Sequence, residues 1–220
     1  MPKLSAMQKS FLEEATKKYK SALPGSPAEE YLEKRGLTNP AIADEVGKFC
    51  LGYVADPLPG HEMFRGMLAL PYIRQAPGGR WSVVSMRFRC IKEGCDHPNH
   101  GKYMSSPGDP PRMYNTMALI KSEDRIAICE GEIDTITANA CGIPAVGIPG
   151  VESWKPHFRE PFLGYEVVYI LADGDEPGMK FASKVAKTLP NVKILPSRPG
   201  EDVNSEVLKH GKKAFLERFD

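Results

Sequence analysis

The chain has few cysteines, histidines and tryptophans, and no long apolar run. Its five cysteines are an odd number. That excludes a fully paired disulfide framework and fits a reducing, cytoplasmic setting. No apolar stretch approaches the roughly 20 residues that span a bilayer, which excludes a helical membrane protein. Met1-Pro2-Lys3-Leu4 leads directly into a charged amphipathic stretch, so no signal-peptide core is expected. Internal repeats and low-complexity segments are missing too. So is a surplus of charge: 29 Lys+Arg face 28 Asp+Glu, a net of +1 over 220 residues. That balance excludes a uniformly basic surface. What is present is ordinary for a globular chain, with 41% hydrophobic and 26% charged residues and length enough to bury a sizeable core.

The near-zero sum hides an uneven distribution. Residues 1–62 carry a net of −1, residues 63–115 a net of +5 and residues 116–220 a net of −3. A basic middle beside an acidic C-terminal half can seat a polyanion against metal-binding carboxylates. Two ordinary solvated surfaces would give the same arithmetic.

The hydrophobic period divides the chain. Ser5 to Leu23 reads as an amphipathic helix ended by Pro24-Gly25. Ser26 with Pro27 behind it suits the start of a second helix, which carries Tyr31 and Leu32 inward and stops at Gly36. Thr38-Asn39-Pro40 opens a third, through Val46. Phe49–Tyr53, Met67–Arg74 and Trp81–Arg89 then read as strands between turns rich in Gly or Pro, an antiparallel arrangement. From Arg125 the pattern alternates. Ile126–Cys129, Pro144–Ile148, Glu166–Leu171 and Val192–Leu195 are short apolar strands. Helices are expected over Glu132–Ala140, Pro177–Leu189 and from Val203 onward, and Trp154–Glu160 can be helical. Such alternation predicts a parallel sheet covered on both faces. The expected division is residues 1–120, an α+β basic subdomain of helices and antiparallel sheet, and residues 121–220, an α/β subdomain with a mainly parallel sheet.

In an open parallel sheet, ligands bind beyond the carboxyl ends of the strands. Glu130-Gly131-Glu132-Ile133-Asp134 follows the first strand of the second half. Asp173-Gly174-Asp175 follows the third, and Glu201-Asp202 comes soon after the fourth. Alone, Asp-Gly-Asp is a turn and Glu130 a helix-start acid. Together they bring carboxylates to one sheet edge, where a hard cation such as Mg²⁺ takes one or two of them plus substrate phosphates.

These three segments resemble the Toprim signature, shared by DnaG-type primases, type IA and type II topoisomerases and some nucleases. The resemblance implies a metal site with Glu130 as ligand or acid–base group and Asp173, Asp175 and Asp202 as ligands of Mg²⁺ or Mn²⁺. It implies catalytic roles for Glu130, Asp173 and Asp175. Upstream, Ala28–Leu37, Phe49–Tyr53, Phe64–Pro71 and Lys102-Tyr103-Met104-Ser105-Ser106-Pro107 resemble, in order, segments of the bacterial DnaG-type primase catalytic core. The likeness runs from about residue 8 to about residue 210. It implies RNA primer synthesis on single-stranded DNA from ribonucleoside triphosphates. Arg65, Arg87, Arg89, Lys102 and Tyr103 would meet template or nucleotide, and Tyr103 and Phe88 could stack bases. A replicative helicase and a separate zinc-ribbon protein are the expected partners, with no membrane. A Toprim nuclease and a non-catalytic module that binds single-stranded DNA are the alternatives. The primase-like upstream segments argue against the first, and the four retained acids against the second.

The chain departs from the family in several places. Ser105 replaces the usual Asn. Asp202-Val203-Asn204 stands for Asp-Pro-Asp, so only Asp202 carries over as a ligand. An N-terminal zinc ribbon and a helicase-binding domain are not seen, an arrangement that resembles compact primases of phages and mobile elements. If phage-encoded, the chain would work in the bacterial host cytoplasm. One feature is extra: Cys90, Cys95, His97 and His100 could form a tetrahedral zinc set, or belong to a polar loop with a half-buried thiol. Cys50, Cys129 and Cys141 are expected in the core, His61, His157 and His210 at the surface, and Trp81 and Trp154 in packing.

Overall fold

A computed structural model of the chain describes residues 4–76, 78–121, 124–150 and 153–219. Met1 to Lys3, where no leader core was expected, and residue 77, between the expected strands Met67–Arg74 and Trp81–Arg89, lie outside them. The chain divides into two compact units, Met1–Pro110 and Pro111–Asp220. The division falls ahead of residue 120. Tyr114 and Gly147 exchange both backbone hydrogen bonds (2.8 and 3.1 Å), and Met113 and Ala118 are buried in the second unit's core. Among the described residues no helix is long and apolar enough to cross a membrane.

The first unit opens with α1 (Ala6–Ser21), where Ser5 and Gln8 form a reciprocal capping box. Helix α2 (Pro27–Lys34) starts at Ser26, whose side chain caps the Glu29 N–H, with Pro27 at the first helical position. A short 3₁₀ turn then runs into α3 (Ala43–Gly47). The sheet is antiparallel, ordered β1 (Gly52–Tyr53), β2 (Leu68–Gln75), β3 (Trp81–Arg89), β4 (Tyr103–Ser105). The short β4 has too few residues to show a period of two, so pattern reading missed it.

The first unit corrects four expectations. His61 is buried, 3% exposed, with its ring packed edge-on against Phe11, Phe64 and Phe88. The Tyr19 hydroxyl lies 3.0 Å from His61 Nδ1 while accepting the Leu58 N–H. Phe88 is fully buried and stacked on Phe64 at 3.8 Å between centroids, so it belongs to the core and offers no ring to a base. Trp81, at the start of β3, is 51% exposed rather than packed. Cys50 also lies outside the core, half-buried at φ 51°, whereas Cys129 and Cys141 are buried as expected.

The second unit has a parallel sheet, ordered β6 (Ala145–Gly147), β5 (Arg125–Cys129), β7 (Val167–Ala172), β8 (Val192–Pro196). Alternation along β5 and β7 sends Ile126, Ile128, Val168 and Ile170 to one core, shared with α4 (Ala118–Lys121) and α6 (Glu176–Ala186). Ala127, Cys129, Tyr169 and Leu171 go to the other, shared with α5 (Glu132–Ala140) and α7 (Val203–Leu216). Both faces are therefore covered. The Trp154–Glu160 region is a 3₁₀ helix over Pro156–Phe162. The Asp173–Asp175 turn is locked onto the β8–α7 loop, because the Gly174 N–H donates to the Glu201 carbonyl (2.8 Å) and the Gly200 N–H to the Gly174 carbonyl (2.9 Å).

Two outcomes follow for stability. Burial holds the His61 pKa below its ordinary value, so the unfolded chain binds a proton more readily than the folded one. The stability His61 contributes is complete above about pH 6.5 and falls as pH drops below it. In urea titrations, wild-type stability relative to His61→Phe should be lower at pH 5.5 than at pH 7.5, a difference in which the other titrating groups cancel. A Cβ on Gly174 would lie 1.9 Å from the Arg198 carbonyl oxygen, whereas one on Gly164 meets nothing within 4 Å. Gly174→Ala should cost about 3 kcal/mol and Gly164→Ala no more than about 0.5 kcal/mol, read from the same titrations.

Candidate functional site

All strands of the second sheet run the same way, so their carboxyl ends share one edge. The chain steps from β5 outward to β6, then returns across β5 to β7. Helix α5, after β5, covers one face, and α6, after β7, covers the other. The β5/β7 pair is thus the point where the winding reverses, the place where open α/β sheets hold ligands. Cys129 and Leu171 are paired at its end, and Glu130 and Asp173 follow within two residues.

Glu130 and Asp173 are half-buried, and each keeps a buried carboxylate oxygen, Glu130 Oε1 and Asp173 Oδ1, with no hydrogen-bond partner. Burial, then the charges of Asp175 and Asp134, push the Glu130 pKa up to about 7, against a partial offset from the Asp173 N–H. Burial, then the charges of Asp134, Glu130, Asp202 and Asp175, push Asp173 up to about 8. Both shifts say that negative charge here is desolvated and repelled by its neighbours.

Asp175 and Asp202 are held differently. Asp175 is the N-cap of α6, and its Oδ1 accepts the Gly178 N–H at 2.8 Å. Asp202 is the N-cap of α7, and its Oδ1 accepts the Ser205 N–H at 2.7 Å within a capping box. Each cap is worth about 1 kcal/mol and fixes one oxygen of the carboxylate. Asp134 Oδ1 accepts the Asn204 N–H at 3.1 Å, and Asn204 Nδ2 donates to Thr137 Oγ1 at 2.9 Å. Asn204, which stands where the resembling family has a second Asp, therefore ties α7 to α5. Sequence reading set it aside; its register behind a capping Asp was the available signal.

The first unit carries the basic positions. Arg87 and Arg89, two apart on β3, project to one face, and Tyr103 on β4 pairs with Arg89 in register. The Arg87 and Arg89 guanidinium carbons lie 4.9 and 4.7 Å from the Tyr103 ring centroid. Arg89 also lies 5.2 Å from the Tyr31 ring, and Arg35 lies 5.5 Å from the same ring. The Tyr103 hydroxyl meets Arg89 Nη1. Arg89 is only 7% exposed, and contacts of up to about 2 kcal/mol each with aromatic rings help offset the cost of desolvating its charge. Arg89 and Tyr103 are thus engaged with each other inside a column that includes Tyr31 and Arg35. Sequence reading assigned no binding role to that last pair, although its i, i+4 spacing at the end of α2 was visible. Arg65 is exposed, donating to the Ala55 carbonyl (2.7 Å) and lying 4.0 Å from Asp56. Lys102 is exposed beside Tyr103.

Among the described residues, one group of three or more potential metal ligands has all its ligand atoms within 4.8 Å of one another: Cys90, Cys95, His97 and His100. Among the described residues the sheet-edge carboxylates form no such group.

The Toprim-like family model matches residues 127–207, the span that holds Glu130, Asp173, Asp175 and Asp202. The Gene 57 protein of Mycobacterium phage D29 is 59% identical over 157 residues, covering 71% of this chain and all of that protein. A DnaG primase catalytic domain bound to single-stranded DNA superposes with a TM-score of 0.68 at 22% identity, covering 95% of this chain and 79% of that one. A DNA primase domain from Pseudomonas aeruginosa gives 0.71 at 24% identity, with 96% and 77% covered. The chain belongs to the same family as the phage D29 Gene 57 protein, and it has the fold of a DnaG-type primase catalytic core with a Toprim-like domain.

Proposed function

We propose that this chain synthesises RNA primers on single-stranded DNA, using Mg²⁺ or Mn²⁺ at the edge of its parallel sheet. The observation that carries the reading is the convergence of Glu130, Asp173, Asp175 and Asp202 on neighbouring strand ends of a DnaG-type core. The donor set fits a hard divalent cation. It is all oxygen, two of its buried oxygens are unpartnered, and its raised pKa values register negative charge that a cation would neutralise. A bound divalent ion supplies charge neutralisation for a triphosphate and acidifies the attacking 3′-hydroxyl. Asp173, Asp175 and Asp202 would hold it, the latter two with one oxygen each still on a helix cap. Glu130, releasing its proton near neutral pH, is suited to accept the hydroxyl proton.

The basic unit supports the same reading. Arg65, Arg87 and Lys102 would contact phosphates, which sets affinity and salt dependence rather than sequence choice. Arg89 and Tyr103 would shape that surface from within their column. The D29 relative supports a phage-encoded chain acting in the host cytoplasm. A host or phage helicase and a separate zinc-ribbon protein are the proposed partners.

The test is incubation with single-stranded template, labelled NTPs and Mg²⁺ or Mn²⁺, with and without a candidate helicase or zinc-ribbon subunit. Short RNA products are expected, reduced at least about 100-fold by Asp173→Asn. Template cleavage without synthesis would indicate a nuclease, and binding without either activity a non-catalytic module. Asp175→Asn keeps a competent N-cap, so its Tm should stay within about 1 °C of wild type while product falls. Unchanged product would reduce Asp175 to a cap.

A second outcome concerns stability. Glu130 and Asp173 hold protons more tightly when folded than when unfolded, where carboxyl pKa values are near about 4. The stability linked to those protons is complete below about pH 4 and is lost as pH rises through about 7 and about 8. In EDTA the chain should melt at a lower temperature at pH 8.5 than at pH 6. Millimolar Mg²⁺ or Mn²⁺ should restore the loss, and Asp173→Asn should flatten it. A cation-independent profile would remove the metal from this site.

A further inference from the structure

The β3–β4 connection, Cys90 to Gly101, has little apolar substance to hold its shape. Lys92, Glu93, Gly94, Asp96, Pro98 and Asn99 are exposed, and the Cys90 N–H donates to the Lys102 carbonyl (2.9 Å) at its neck. Irregular loops of this length inside a compact unit are uncommon without a ligand or a function. Yet two thiols and two imidazoles gather in it, with ligand atoms within 4.8 Å of one another.

The detail is that of a tetrahedral site. His100 Nδ1 lies 3.0 Å from the Gly101 carbonyl oxygen. A carbonyl only accepts, so Nδ1 carries the proton and Nε2 keeps its lone pair. That Nε2 stands 3.6 Å from Cys95 Sγ, close to the ~3.5 Å edge between sulfur and nitrogen in a tetrahedron with Zn–S near 2.3 Å and Zn–N near 2.05 Å. His97 Nδ1 is buried with no hydrogen-bond partner. Its residue adopts φ 59°, a left-handed turn that a non-glycine residue takes only under constraint. This turn brings the His97 and His100 rings to 5.2 Å between centroids, despite only two residues between them. None of the four side chains is exposed. A single S–H···N hydrogen bond from Cys95 to His100 would account for the 3.6 Å separation alone. It would leave the His97 nitrogen and the approach of Cys90 unexplained.

We propose that Cys90, Cys95, His97 and His100 bind one structural Zn²⁺, through two thiolates, His97 Nδ1 and His100 Nε2. The ion staples the β3–β4 hairpin. Cys90 directly follows Arg89, and His100 precedes Lys102 and Tyr103 by two and three residues, so the staple fixes the strand ends that carry the Arg87–Tyr103–Arg89 stack. This ion belongs to the first unit and uses sulfur and nitrogen donors, unlike the all-oxygen sheet edge of the second.

The experiment uses the full chain, expressed in zinc-containing medium and purified without chelators or a metal-affinity step. One equivalent of zinc per chain is expected by elemental analysis, unaffected by millimolar Mg²⁺. Titration of the chelator-stripped wild type with Co²⁺ should give thiolate charge-transfer absorption and intense tetrahedral d–d bands that saturate at one equivalent. Cys90→Ser/Cys95→Ser should lose both signals. Hydrogen exchange over residues 90–105 should accelerate at least about 10-fold when zinc is stripped. Zinc below about 0.2 equivalents together with no thiolate–Co²⁺ band overturns the proposal. So does full zinc occupancy in the double variant, which would place the ion elsewhere. Exchange unchanged on stripping would remove the stapling role. The Co²⁺ titration uses the wild-type chain, so misfolding of the variant cannot mask the answer.

Discussion

Parallel pairing of β5, β7 and β8 turns every strand of the sheet's second half toward one edge, and the sequence places an acid after each of those three strands. Like charges gathered at one end of a sheet, two of them half-buried as Glu130 and Asp173, oppose folding, and the local structure there is an accommodation of that repulsion. Asp175 and Asp202 each turn one oxygen onto a helix N-terminus, where backbone N–H groups and the helix dipole favour negative charge. Asp134 is satisfied by the Asn204 amide. Glu130 and Asp173 receive less, and their affinity for protons rises accordingly. The residues with the least internal compensation are those best placed to gain from a cation, which is how stability is given up at functional sites.

The first unit handles charge through aromatic rings. Arg89 enters the interior between Tyr31 and Tyr103, a position where a lysine could not lie flat against both rings. The stack joins α2 to β3 and β4, so the same contacts that orient the guanidinium groups also hold a helix to the sheet. His61 occupies an analogous place in the core, neutral and edge-on to three phenylalanine rings. Its ring nitrogen Nδ1 meets the Tyr19 hydroxyl.

Much of this was legible locally. Ser5, Ser26, Asp175 and Asp202 mark helix starts by their own side chains, and the structure begins α1, α2, α6 and α7 there. The apolar runs before Glu130 and Asp173 are β5 and β7. Where local reading failed, burial was decided by distant residues. Phe88 alternates on β3 like a residue that could face a ligand, but Phe64, from a separate turn, covers it. His61 has no local pattern at all and is buried by Phe11, Tyr19 and Phe88. Trp81 reads as a packing residue by type, yet it stands half exposed at the start of β3.

The sequence by itself determined where strands end, which helices begin there and which acids stand at those junctions. Turn, cap and hydrophobic-period signals act within a few residues of the positions they specify. Only the tertiary structure decided that Asp175 and Asp202 are half-committed to caps while Glu130 and Asp173 retain unpartnered oxygens. It alone decided that Arg89 and Tyr103 form one column with Tyr31 and Arg35, and that two cysteines and two histidines face one point. Desolvation, ring stacking and ligand spacing depend on which remote segments meet, and the separation of residues along the chain does not encode that distance in space.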